Sequence, residues 1–135
     1  MTNTKRNLNN MRPICVIQSP IESRSGYGDF ARDIARHIIE LNRYDVILVG
    51  TPWGATPLNA LKAGVPKDDI LLKHLNKGQL TLPRQPEIFI HITVPNEFQQ
   101  IGKVNIGITA GIETTLVSIP WIEGCNKMDA VWAIS

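Results

Sequence analysis

Ile14-Cys15-Val16-Ile17, then Ser23-Arg24-Ser25-Gly26-Tyr27-Gly28-Asp29-Phe30, then Ala31 to Arg43, then Val46-Ile47-Leu48-Val49: these four runs decide the fold. The first follows Pro13 and reads as a strand, Ile14 to Gln18, whose near-continuous hydrophobicity fits a parallel sheet buried on both faces. From Asp29 the pattern turns helical. Phe30, Ile34, Ile38 and Leu41 recur at helical spacing, joined by Ala31 and Ala35, and Arg32, Asp33, Arg36, Glu40 and Arg43 take the opposite face. Ser25 or Asp29 is placed to cap this helix. Asp45 to Gly50 is the second buried strand. Strand, helix, strand makes a βαβ unit, which is parallel and right-handed in nearly all folds. The glycine turn between the first strand and the helix presents backbone N–H groups at the positive end of the helix dipole. That arrangement suits a phosphate, or a substrate approaching the backbone closely. Glycine also serves there simply to turn the chain with φ > 0, and both readings stand.

Working outward, the loop Ser19 to Gly28 is long for a strand–helix connection, which usually runs about 2–6 residues, and long loops in compact domains are often functional. Residues 1–12 read as a disordered tail, basic at Lys5, Arg6 and Arg12 among Thr and Asn. Thr51-Pro52-Trp53-Gly54 is a turn, Pro57 to Ala63 a short helix, and Lys67 to Lys77 a loop, short strand or short helix. Leu80 to Pro86 carries two prolines. Further strands follow at Glu87 to Thr93, Val104 to Ala110 and Asp129 to Ile134, with a proline-initiated helix over Pro120 to Lys127. An open parallel sheet takes its ligands at the carboxyl ends of its strands. Those ends carry the loop after Gln18, Trp53-Gly54, Thr93 to Asn96, and Gly111 to Thr115, which together would line one crevice. The expected fold is α/β, a doubly wound parallel sheet with flanking helices.

Composition narrows the classes. The 135 residues are 43% hydrophobic and 19% charged, an ordinary globular balance for one domain or part of one. A net charge of +2 gives no electrostatic footprint for nucleic acid. The first dozen residues lack a signal-peptide core, and no apolar run approaches the roughly 20 residues that span a bilayer. The expected location is therefore the cytoplasm. Cys15 and Cys125 have no second cysteine or histidine at metal-ligand spacing and read as small core residues. No metal and no cofactor are expected.

Near the end of the chain stand Gly111-Ile112-Glu113-Thr114-Thr115, Pro120-Trp121-Ile122-Glu123, Asn126-Lys127-Met128-Asp129 and Val131-Trp132-Ala133-Ile134-Ser135. Together with the Ser-Gly-Tyr-Gly turn and the Ala- and Arg-bearing helix, residues 13–135 resemble the Rossmann-like N-terminal half of a GT-B glycosyltransferase. They are most similar to family 4 and its relatives. Val94-Pro95-Asn96-Glu97-Phe98 and the run from Asn105 to Glu113 are similar to glycosyltransferases encoded by tailed phages. The resemblance implies a hexosyl-transferring parent whose N-terminal domain holds the acceptor. It implies that the nucleotide sugar binds chiefly to a C-terminal domain, through a glutamate pair and a basic residue. That donor domain is absent from this chain, so the chain alone is expected to be inactive. One position departs: many family members place a histidine near the donor sugar in a His-x-His-Glu-Pro-like run, where this chain reads His91-Ile92-Thr93-Val94-Pro95-Asn96. Either Thr93 stands in place of the sugar-contacting histidine or the register shifts.

Each candidate has a bland counterpart. Gly26, Gly28 and Ser25 approach a phosphate or acceptor, or simply turn and cap the chain. Arg24 pairs with phosphate or is a solvated loop charge. Tyr27 stacks on an acceptor or does nothing. Trp53, in a turn beside glycine, forms a sugar-stacking platform, or packs at an edge as Trp121 and Trp132 do. His91 is a catalytic group or a hydrogen-bonded core histidine, with Thr93 on the same strand face. Glu113 binds a sugar hydroxyl or caps a helix. Asp29 and Glu22 are carboxylates without a paired partner spacing. The competing class is a non-catalytic binding or assembly module that keeps half of a GT-B fold. A dinucleotide-dependent enzyme fares worst, since Gly26-Tyr27-Gly28 is followed by Asp29-Phe30-Ala31 and the second strand ends without an acidic ribose ligand. The partners implied are a nucleotide sugar and an unspecified acceptor; the oligomeric state stays open, a homo-oligomer included.

Overall fold

The computed structural model describes residues 12–110 and 119–134. Five strands, β1 (Ile14–Ser19), β2 (Asp45–Gly50), β3 (Ile88–Ile92), β4 (Val104–Ala110) and β5 (Ala130–Ile134), form one sheet in the order β2-β1-β3-β4-β5. Every pairing is parallel. Three α-helices accompany them: α1 (Gly26–Leu41), α2 (Pro66–Leu72) and α3 (Ile119–Asn126). A 3₁₀ turn occupies Pro95–Glu97. The sheet is thus α/β and Rossmann-like, flanked by helices.

Alternation along the strands divides the core in two. Cys15, Ile17, Val46, Leu48, Ile90, Ile92 and Ile108 pack with Ala31, Ala35 and Leu71 on the face covered by α1 and α2. Ile14, Val16, Ile47 and Phe89 face the other way, against Leu80, Leu82 and Ile101. Two right-handed crossovers that step in opposite directions along a sheet must use opposite faces. The β1–β2 connection accordingly crosses by way of α1, and the β2–β3 connection carries Leu80 and Leu82 across the second face. Prolines at 83 and 86 keep that second crossover extended rather than helical. Arg36 ties α1 to α2 through Asp68 at 3.4 Å, with both side chains largely buried.

The Lys67 to Lys77 stretch uses both of its expected forms. After α2, Leu75 makes a lone parallel bridge with Leu48, the Leu48 amide donating to the His74 carbonyl and the Asn76 amide to the Leu48 carbonyl. Counted as the stub of a strand, this bridge turns the order into stub-β2-β1-β3-β4-β5, which matches the 3-2-1-4-5-6 order of Rossmann-like sheets. It also covers the outer edge of β2.

Four local expectations are corrected. The helix begins at Gly26 rather than Asp29, because Ser25 Oγ accepts from the Gly28 amide and caps it there. Gly26 and Gly28 are therefore helical, and among the described residues positive φ at glycine falls on Gly54, Gly64 and Gly78. No helix forms over Pro57 to Ala63. Its backbone is committed elsewhere: the Pro57 carbonyl accepts from the Arg24 amide, the Ala60 amide donates to the Glu22 carbonyl, and the Lys62 amide donates to Asp68. Arg12, assigned to the tail, is tied down instead, its guanidinium on Asn42 and its carbonyl on Arg84. Residues 1–11 and 111–118, with Glu113 and the Gly111 to Thr115 run, lie outside the described residues, as does Ser135.

Helix α3 rests on the 3₁₀ turn through Gly124, where a Cβ would run into the Pro95 carbonyl. Alanine there gains about 1 kcal/mol of helix propensity. Pushing a backbone apart costs about 1–3 kcal/mol, so the clash wins. Gly124→Ala should lower the urea midpoint, whereas Glu123→Ala on the exposed side of the same helix should leave it within about 0.5 kcal/mol; equal stabilities for the two variants would contradict the packing described.

Candidate functional site

The chain leaves β1 toward β2 on one side and reaches β3 on the other. Among the described residues no connection bridges the gap between the carboxyl ends of β1 and β3, and this is where open α/β sheets hold ligands. A cleft of about 230 Å³ sits there, lined by Gln18, Thr51, Pro52, His91, Thr93, Glu97 and Gln99. It adjoins a shallower one of about 470 Å³ between Pro52–Thr56 and Val94 and Glu97. Glu97 lines both, and no lysine or arginine lines either.

Register puts these groups together. Gln18 of β1 lies opposite His91 of β3 on the face away from α1. The Gln99 amide donates to His91 Nδ1 at 3.2 Å, so the ring proton resides on Nε2. Nε2 is 3.4 Å from the Gln18 amide nitrogen, and that nitrogen is 3.3 Å from Gln99 Oε1. The proton count then requires both glutamine amides turned, Gln18 Oε1 accepting from His91 and from the Gln99 amide. Burial pushes the His91 pKa down to about 4, only partly countered by the nearby Glu97 carboxylate. His91 is neutral at pH 7 and a feeble base. Thr93 Oγ1 donates to Glu97 Oε1 at 2.6 Å, fixing the carboxylate at the mouth of the cleft.

The glycine turn lies apart from this cleft. Arg24, Ser25 and Gly26 line a separate open hollow with Asp29, Arg32 and Ala60. Of its cationic groups Arg32 is committed to the fold, and Arg24, exposed, is held through Nε. Arg24 Nε donates to Asn59 Oδ1 at 2.6 Å, and Arg32, buried to 9% exposure, donates to the carbonyls of Ile21 and Ser23 and pairs with Asp29. Gly28 is needed for contact rather than for φ: a Cβ there would strike the Ser23 carbonyl and Ser23 Oγ. Its amide is taken by Ser25, which leaves Gly26, with open space around it, as the exposed start of the helix.

Tyr27 links the two regions. Its ring stacks on Trp53 with centroids 4.2 Å apart, and its hydroxyl accepts from the Ala110 amide at 2.9 Å while facing Thr109 Oγ1 and the Ala110 carbonyl. Both aromatics that sequence reading offered as ligand platforms thus give one face to each other. Trp53 still lines the cleft wall. Trp132, read as core or edge packing, stands on the edge strand β5 at 59% exposure. Cys15 is buried, its thiol pushed up to about 12, and is inert at neutral pH.

Gln18, Thr51, Glu97 and Gln99 were not among the sequence candidates. The strand-end alternation that put His91 and Thr93 on one face could have found Gln18, but only with the β1–β3 register in hand. Glu97 and Gln99 lie in an irregular segment with no periodicity to place them.

The site and the opposite end of the sheet titrate in separate windows. His91 has a folded pKa below its ordinary 6.5, so the unfolded chain binds the extra proton and stability falls as pH drops from 6.5 toward 4. Glu87, held down to about 2 by Arg84 and the Ile14 amide, keeps its contribution above pH 4.5 and loses it below. Urea unfolding at pH 7 and pH 4.5 should differ by about 2 kcal/mol from His91 alone, and His91→Gln should flatten that interval. An unchanged slope in the variant would show that His91 is not the buried neutral group.

Comparison with protein-family models, curated proteins and solved structures finds no match for this chain.

Proposed function

We propose that this chain is the acceptor-side, N-terminal domain of a nucleotide-sugar-dependent glycosyltransferase of GT-B type, acting in the cytoplasm. On this reading the donor's diphosphate is held by a second domain outside these 135 residues. The observation that carries the reading is the chemistry of the β1–β3 cleft. Among the described residues its polar lining consists of amides, hydroxyls and a neutral imidazole, with Glu97 the sole charge, beside an apolar wall of Pro52, Trp53 and Val94. Such a surface offers short-range donors and acceptors to hydroxyls and apolar contact to a ring, and nothing that attracts a free phosphate. Among the described residues no group of His, Cys, Asp and Glu is placed to hold a metal. The Rossmann-like strand order and the motif resemblance over residues 13–135 point the same way. The acceptor hydroxyl would attack the anomeric carbon as the bond to the nucleotide diphosphate breaks. The exposed helix start at Gly26 is available to negative charge developing on the leaving group, in place of the Gly28 amide.

The second reading is a non-catalytic assembly module. It is favoured by Ile119, Ile122 and Trp132, large apolar side chains exposed on α3 and β5.

Nucleoside diphosphate release separates the two. The complete product of the gene, supplied with uridine-, guanosine-, adenosine- and thymidine-diphosphate sugars and candidate hydroxylated acceptors, should release diphosphate above the background rate for at least one pair, while the 135-residue chain alone should not. Absence of release for every pair would overturn the enzymatic reading and leave the assembly module.

A further inference from the structure

Glu97 belongs to no motif that the strands and helices explain. It closes the 3₁₀ turn after β3, where its amide donates to the Val94 carbonyl at 3.0 Å and Thr93 Oγ1 holds its Oε1. Among the described residues its Oε2 has no protein partner. No cation among the described residues pairs with it, and neither cleft has a described lysine or arginine in its lining. A carboxylate fixed on one oxygen and free on the other, at the mouth of a cleft, is an acceptor waiting for donors. Hydrogen bonds to an ionised acceptor are shorter and about twice as strong as neutral ones. A phosphate placed in the same cleft would meet an uncompensated negative charge, and neighbouring hydroxyls would meet the acceptor they need.

We infer that Glu97, positioned by Thr93, is the specificity-determining residue of the β1–β3 cleft, accepting hydrogen bonds from adjacent hydroxyls of an uncharged sugar and turning away phosphorylated ones. The inference rests on the cleft being the acceptor-holding face proposed above, and names that acceptor's class. Gln18 and Thr51 supply further neutral partners from the neighbouring strand ends, and Pro52, Trp53 and Val94 face the apolar side of the ring.

The test is a binding titration of the 135-residue protein followed by amide-resolved NMR. The probes are methyl glucopyranoside, methyl galactopyranoside, methyl mannopyranoside and glucose 6-phosphate. At least one methyl glycoside should bind and shift the amides of Thr93, Val94 and Glu97, and glucose 6-phosphate should bind about tenfold more weakly than the best glycoside. Glu97→Gln should weaken the glycoside about tenfold, a loss on the scale of one hydrogen bond to a charged group. Asp33→Asn, an exposed carboxylate on α1 remote from the cleft, should leave it unchanged. Glu97 is exposed, so the variant should fold, and the wild-type preference for neutral over phosphorylated sugar gives a readout that needs no variant. No glycoside binding, equal or tighter binding of the phosphate, or a Glu97→Gln protein that binds as wild type would each overturn the inference. Glycoside binding that depends on Glu97, without transfer by the complete gene product, would support it and sink the glycosyltransferase reading. Transfer without such binding would do the reverse.

Discussion

Everything at the functional end of this domain depends on one constraint: β1 has neighbours reached by connections that leave in opposite directions. The backbone of β1 is satisfied on both sides by parallel ladders to β2 and β3, so its register is fixed along its whole length. The loops that follow those strands are pulled apart by the same topology. A gap at their carboxyl ends is a geometric consequence, and the residues that end each strand become its walls. The buried Arg32 guanidinium completes the arrangement. By holding the Ile21 and Ser23 carbonyls it folds the loop after β1 back onto α1, away from the gap. Nη1 donates to both carbonyls while Nη2 pairs with Asp29, a fork that a single lysine ammonium does not reproduce.

That internal use of arginine also decides the electrostatics. Arg32 of α1 is committed to the carbonyls of the loop after β1, and Arg24, exposed on that loop, is steered to Asn59 through Nε. Among the described residues the cleft is lined by apolar groups, neutral polar groups and one carboxylate. The glycine turn, the feature that most invited a phosphate, is instead where helix, loop and cap close against one another, since Gly28 lies too near the Ser23 carbonyl to carry a side chain. The cleft that gathers Gln18, His91, Thr93 and Glu97 lies apart from it, between β1 and β3.

Much of this architecture was legible in the residues. The apolar runs at 14–17, 46–49, 88–92 and 104–110 are buried strands because a parallel sheet hides both faces, and the Phe30-Ile34-Ile38 spacing is α1. What escaped reading was set by contacts across the chain. Pro57 to Ala63 has helical composition, yet its amides and carbonyls are captured by the loop after β1 and by Asp68, and local propensity of a few tenths of a kcal/mol per residue cannot compete with that. Leu75 looks like one more leucine until its bridge to Leu48 reveals a strand stub. Tyr27 reads as an exposed loop residue, but its hydroxyl is the acceptor for the Ala110 amide. At the site, His91 and Thr93 were visible by alternation, whereas Gln18 needed the β1–β3 register and Glu97 needed the 3₁₀ turn that aims it. At the glycine turn the Gly28 amide is taken by Ser25, while Gly26 stays exposed at the helix start.

The central claim is the proposal that this domain meets its acceptor at the β1–β3 cleft and not at the glycine turn. A crystal structure of the complete gene product with a nucleotide sugar and acceptor bound tests it most directly. The account predicts acceptor density against Gln18, Thr51, Thr93 and Glu97, with His91 Nδ1 still held by the Gln99 amide. Acceptor density seated instead between Arg24, Gly26 and Asp29, with the cleft filled by solvent, would contradict it.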